Sequence, residues 1–323
     1  MSAEPQRFPS SGGQLAYVDV GDGEPVLLLH GFPSSSATWR ELAPALARRF
    51  RVIMPDLLGH GLSDRPAHAP LDLRAQARYV RELLEALDVG RIAVVGHAHG
   101  GGIAQLLALD GADVDAMILV SSVAFDAWPI GSTRDLQAVD PDRLTPDLIA
   151  AGMRAVLLTG VADPSVVTDE LVAAFVSPWV GEGGSAAVVR AAGAFDGEGL
   201  TGHEATFARW TFPILILWGE DDPYLPASLG GRLQDAMPSS SLGLLPGIGH
   251  FVFEEAGTAV VPLIGEWLRA SYLGAPHTHG DAHAGVVMLQ LERRSAAEDL
   301  AEYETEDAPV RYDPHDQEVG PNA

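Results

Sequence analysis

The sequence predicts an α/β fold: a mostly parallel central sheet flanked by helices and interrupted by a helical insertion. Three observations carry that prediction. Short aliphatic runs, such as Val26-Leu27-Leu28-Leu29 and Ile92-Ala93-Val94-Val95, have the length and continuous apolarity of strands buried on both faces. Each run ends in a loop rich in Gly, Pro or Asp. A long stretch of helical pattern, about residues 123–209, separates the earlier strands from the later ones.

In chain order, Val26–Leu29 leads into His30-Gly31-Phe32-Pro33, and Arg51-Val52-Ile53-Met54 leads into Pro55-Asp56-Leu57-Leu58-Gly59-His60-Gly61-Leu62-Ser63-Asp64. Arg91–Val95 then meets Gly96-His97-Ala98-His99-Gly100-Gly101. Small residues two before and two after a central position permit a sharp strand-to-helix turn that lifts the central side chain above the sheet. The central residue here is alanine, and a methyl group has neither a lone pair to attack with nor a proton to give up.

Beyond the elbow comes the strand Ala116–Val120 and then the insertion. Within it, Thr145 precedes Pro146 as a cap before a first-turn proline, opening a helix over Thr145–Met153, and Asp169–Phe175 has a second helical pattern. Phe125, Trp128, Met153, Phe175, Trp179, Phe195 and Phe207 are expected mostly to form the insertion's own small core. The strand Pro213–Trp218 runs into Gly219-Glu220-Asp221-Asp222-Pro223-Tyr224-Leu225-Pro226. Leu244-Leu245-Pro246-Gly247-Ile248-Gly249-His250-Phe251 follows, with a closing helix through Arg269.

These four separated motifs, in this order, resemble the α/β-hydrolase fold family over about residues 8 to 273. The resemblance implies a core of residues 1–122 and 210–274, a lid of residues 123–209, and chemistry on a small, largely apolar carbonyl compound of the ester, lactone or C–C-bond hydrolase type. It implies roles as well: Ala98 stands in the nucleophile slot, Asp222 matches the catalytic acid and His250 the catalytic base. The backbone N–H groups of Phe32 and His99 match the oxyanion hole, while His30, Trp128 and Phe251 are candidate substrate contacts. Asp126 is the reserve acid, because in some relatives that strand end carries it. No cofactor is implied.

An Asp–His pair remains chemically able without the serine, since a carboxylate fixes the imidazole tautomer and stabilises the imidazolium while main-chain oxyanion donors do not depend on residue 98. Ser34, Ser35, Ser36, Ser121 and Ser122 are weak substitutes because none lies on the elbow. Three readings stay open: a hydrolase with little acyl-enzyme turnover; a general-base catalyst without a covalent step, such as a lyase, cyclase, decarboxylase or cofactor-free oxygenase; and a non-catalytic ligand-binding protein.

Composition narrows the partners. The 323 residues are 47% hydrophobic, enough to bury a large core, and carry a formal net charge of −24, which disfavours nucleic acid and anionic membranes. The absence of cysteine excludes disulfides and thiolate chemistry, and the absence of lysine excludes a Schiff base. With no apolar run of membrane-spanning length and no signal-like start, the expectation is a soluble, cytoplasmic protein acting on a small molecule, its oligomeric state open. Residues 275–323 hold eleven carboxylates against three arginines and are expected to be a solvated, disordered tail. Its His277, His279 and His283 are not expected to form a metal site, and its apolar Val286–Leu291 is a possible docking run.

Overall fold

The computed structural model describes residues 4–127, 131–194 and 199–274. Trp128, Phe195 and everything expected of the tail, including His277, His279, His283 and Val286–Leu291, lie outside the described residues. Eight strands form one sheet: β1 (Gln6–Ser10), β2 (Gly13–Val20), β3 (Glu24–Leu29), β4 (Phe50–Pro55), β5 (Ile92–His97), β6 (Val114–Val120), β7 (Ile214–Gly219) and β8 (Ser240–Leu245). Their spatial order is β1-β2-β4-β3-β5-β6-β7-β8. The pairs β1–β2 and β2–β4 are antiparallel and the remainder parallel, so the sheet is mostly parallel, with an antiparallel ribbon at one edge that the sequence patterns did not reveal.

The helices are α1 (Leu42–Leu46), α2 (Leu73–Ala86), α3 (His99–Leu109), α4 (Gly131–Gln137), α5 (Pro146–Gly160), α6 (Asp169–Val176), α7 (Gly184–Ala194), α8 (Glu204–Phe207), α9 (Ser228–Ala236) and α10 (Val252–Leu268). Side chains alternate across each central strand, which explains the unbroken apolar runs. Val94, Met117, Leu119 and Ile216 pack with α2, α3 and α9, while Ala93, Val95, Ile118, Val120 and Leu217 pack with α1 and α10. Local signals start the helices, at α5 as expected and at α2 by the same device. Asp72 accepts the Ala75 N–H at 2.9 Å to cap α2, and Thr145 accepts the Leu148 N–H at 3.3 Å to cap α5.

Between β6 and β7 the chain forms α4 to α8. Ile149, Met153, Leu157, Phe175, Trp179 and Val188 make a separate apolar cluster there, which Phe251 of the body completes. Phe125 and Phe207 depart from the expectation: both join the main core beneath the sheet, with Leu200 and Leu225. Among the described residues no single helix is long and apolar enough to cross a membrane.

Candidate active site

The parallel strands β3, β5, β6, β7 and β8 end on one edge of the sheet, and the candidate residues are held in the loops that follow them. At the tip of β5, Ala98 has φ 49 and ψ −115, a conformation costly for a residue with a Cβ, by roughly 1–3 kcal/mol. The surrounding backbone imposes it. The Ala98 N–H donates to Val120 C=O at 3.1 Å, and the Ala98 C=O accepts from the N–H groups of Gly101 at 3.1 Å and Val123 at 3.1 Å. Close approach makes glycine obligatory behind the turn: a Cβ on Gly100 would lie 1.9 Å from the Leu29 carbonyl oxygen. In front, a Cβ on Gly31 would lie 2.7 Å from the Ala98 methyl, so the His30–Pro33 loop lies directly against the elbow and leaves Ala98 1% exposed.

Asp222 and His250 are brought together from loops after β7 and β8. His250 Nδ1 is 2.8 Å from Asp222 Oδ2, and both side chains are buried. Asp222 Oδ1 accepts the N–H groups of Tyr224 and Leu225, each at 2.9 Å. Burial pushes the Asp222 carboxyl up, but His250 and the two main-chain donors outweigh it and hold the carboxyl below its usual range. Asp222 therefore remains a carboxylate that accepts the Nδ1 proton, which leaves the His250 Nε2 lone pair for proton transfer. Asp126, the reserve acid, is exposed and pairs with Arg232 at 3.4 Å.

One of the two expected oxyanion donors, the Phe32 N–H, is already engaged within the protein. The Phe32 N–H donates to His99 Nδ1 at 3.2 Å, so that donor is occupied by an imidazole from the helix α3 N-terminus. Since Nδ1 accepts, the ring proton of neutral His99 sits on Nε2. Burial, reinforced by His60, His250, His97 and His30, keeps His99 neutral by lowering its pKa well below the ordinary histidine value.

The remaining histidines serve the backbone. His30 donates from Nδ1 to Gly31 C=O at 3.0 Å and accepts the Leu57 N–H on Nε2 at 3.0 Å, and it is 0% exposed. Both ring nitrogens are therefore used to join two loops, and the expected substrate contact at His30 gives way to a structural role. His97 donates from Nε2 to His250 C=O at 2.9 Å, and burial followed by the neighbouring His250 lowers its pKa to about 3. Phe251, 3% exposed, packs edge-on to Phe175 at 5.5 Å between ring centroids, which makes it a joint between the base loop and the insertion.

Two features were not legible in the sequence. From within the insertion core, Trp179 donates its indole N–H to Pro33 C=O at 2.9 Å and lies 5.9 Å from the Phe32 ring, so it braces the loop over the elbow. Ser121 has φ 39, is 0% exposed, and its hydroxyl has no hydrogen-bond partner among the described residues. It occupies a strained turn at the tip of β6 and, like the other serines, lies off the elbow at Ala98. Ser122, by contrast, donates to Val123 C=O and accepts from Gln105, and Ser34 donates to Gly31 C=O. Among the described residues no group of three or more His, Asp or Glu side chains is arranged to hold a metal ion.

Comparison with known proteins places this geometry. The alpha/beta hydrolase fold family profile matches residues 24–257. Haloalkane dehalogenase 2 of Mycobacterium tuberculosis is 29% identical over 270 residues, covering 81% of this chain and 93% of the dehalogenase. The 2-hydroxymuconate semialdehyde hydrolase of Pseudomonas sp. is also 29% identical, over 82% of this chain and 96% of that enzyme. The crystal structure of an alpha/beta hydrolase fold protein from Burkholderia ambifaria superposes with a TM-score of 0.75 at 33% identity, covering 80% of this chain and 96% of that one.

Proposed function

Because the chain belongs to the α/β-hydrolase fold family, we propose that it acts on a small, largely apolar carbonyl compound through His250 as general base, without a covalent intermediate. The observation that carries this reading is the Asp222–His250 pair, closed at 2.8 Å beside an elbow whose side chain is a methyl group. His250 Nε2 takes a proton from water, the water oxygen bonds to the carbonyl carbon, and the imidazolium, stabilised by Asp222, returns the proton to the leaving group as the carbon–heteroatom or carbon–carbon bond breaks. Residues 123–209 act as the lid over this site, and the relatives' names support a hydrolytic direction.

A second reading, in which His250 takes the proton from the substrate itself, is favoured by one observation. The Phe32 N–H is already engaged by His99, which leaves one main-chain donor fewer for a tetrahedral oxyanion.

A panel of activated esters, lactones and diketones tests both readings. The parent is expected to turn over a member of the panel in one linear phase with no covalent adduct by mass spectrometry. Asp222→Asn and His250→Ala should each lose about a thousand-fold or more while staying folded. Ligand binding that survives both substitutions, with no turnover in the parent, overturns catalysis in favour of a binding protein.

A further inference from the structure

The base loop is fastened to the insertion rather than only to the sheet. The His250 N–H donates to the carbonyl of Gly160, the last residue of α5, at 2.7 Å, and the preceding Gly249 N–H donates to Glu255 Oε2 at 2.8 Å. The other oxygen of Glu255 crosses to the segment after α5 and accepts the N–H groups of Ala162 at 2.6 Å and Asp163 at 3.2 Å. The acid loop reaches the same helix, since the Tyr224 hydroxyl donates to Val156 C=O at 2.7 Å. A helix C-terminus leaves its last carbonyls without intrahelical donors, so Gly160 is free to receive the His250 N–H, while Val156, one turn back, takes the Tyr224 hydroxyl as an additional donor.

We infer that Glu255, acting with the C-terminal turn of α5, is a positioning residue that sets the Asp222–His250 geometry, so that the insertion and the base move as one unit. Glu255 touches neither partner of the pair. It acts through Gly249, one residue before His250, and through the strand of backbone that leaves α5. Both carboxylate oxygens are needed, because a single glutamine oxygen can serve only one of the two loops and its amide would oppose an N–H on the other side. This inference rests on the reading of His250 as the base, but its test does not depend on turnover.

The test is the low-field proton resonance of His250 Nδ1–H in the full chain, assigned by its loss in His250→Ala. In Glu255→Ala the solvent exchange of that proton should rise about tenfold or more, the equivalent of losing one hydrogen bond. Glu255→Gln should give an intermediate value and Tyr224→Phe a smaller rise, with the thermal midpoint of each variant recorded alongside. An unchanged resonance in folded Glu255→Ala overturns the inference. If that variant does not fold, unchanged resonances in both Glu255→Gln and Tyr224→Phe overturn it. Altered exchange in a chain that turns over nothing leaves the clasp standing and removes the catalytic reading alone.

Discussion

The elbow at Ala98 and the Asp222–His250 pair differ in what holds them. The elbow is shaped by backbone: strand-tip hydrogen bonds from Val120, Gly101 and Val123 and the room left by glycine hold Ala98 at φ 49, although its methyl group performs no chemistry. The pair is a meeting of two side chains, held by neighbouring main-chain donors and by a distant part of the chain. Two main-chain N–H groups orient Asp222, and α5 of the insertion holds the N–H of His250. Framework geometry is thus independent of the group at its apex, because the forces that make the turn do not involve that side chain. Charge geometry has no such independence.

The largest expected effect is on the framework itself. Gly100→Ala would drive a Cβ to 1.9 Å from the Leu29 carbonyl oxygen, a clash with backbone rather than with a yielding side chain. It should cost about 3 kcal/mol or more, read as a lower urea midpoint. A midpoint equal to the parent's would mean that the elbow is looser than its contacts imply.

A middle-sized effect follows from the buried histidines. Burial first, then His30 for His60 and His250 for His97, lowers both pKa values from 6.5 to about 3. Within that window the unfolded chain binds protons that the folded chain refuses, so stability is complete above about pH 6.5 and is lost as pH falls toward 3. Asp222, lowered in the fold, adds loss of the same sign at acid pH. Urea midpoints measured across the window should decline with acid, and the slope should flatten in the double variant His60→Gln, His97→Gln. A flat profile in the parent would contradict their burial as neutral rings.

The smallest change in stability carries the sharpest test of the comparison. Ala98→Ser adds one oxygen to a turn already formed, and should alter stability by less than about 1 kcal/mol. It should nonetheless introduce burst release from activated esters that the parent lacks. A folded variant without a burst would show that the retained framework no longer presents residue 98 to His250.

Much of this was open to sequence reasoning because it depends on local pattern. Apolar runs, the Gly96, Gly100 and Gly101 spacing, and Thr145 before Pro146 each act within a few residues of themselves, and the structure contains the corresponding strands, turn and helix start. Asp222 and His250 were legible from their motifs, although their meeting at 2.8 Å spans 28 residues. The edge strands β1 and β2 escaped because an antiparallel ribbon of partly exposed residues has a weak apolar signature. His30 and His99 escaped for another reason. Whether an imidazole faces a ligand or a main-chain group depends on which loop lies against it, and no spacing records that.

By itself, then, the sequence determined the succession of the buried strands β3 to β7, the turn at Ala98 and the absence of a nucleophile upon it, since these follow from periodicity, from glycine's missing Cβ and from residue identity. Only the tertiary structure decided that His99 takes the Phe32 N–H, that Ser121 sits strained with φ 39, that Phe125 and Phe207 join the main core, and that α5 anchors the loop of His250. Apart from the local strain at Ser121, each of these is a contact between segments far apart in the chain, where packing and the need to satisfy buried polar groups select one partner among many of equal local propensity.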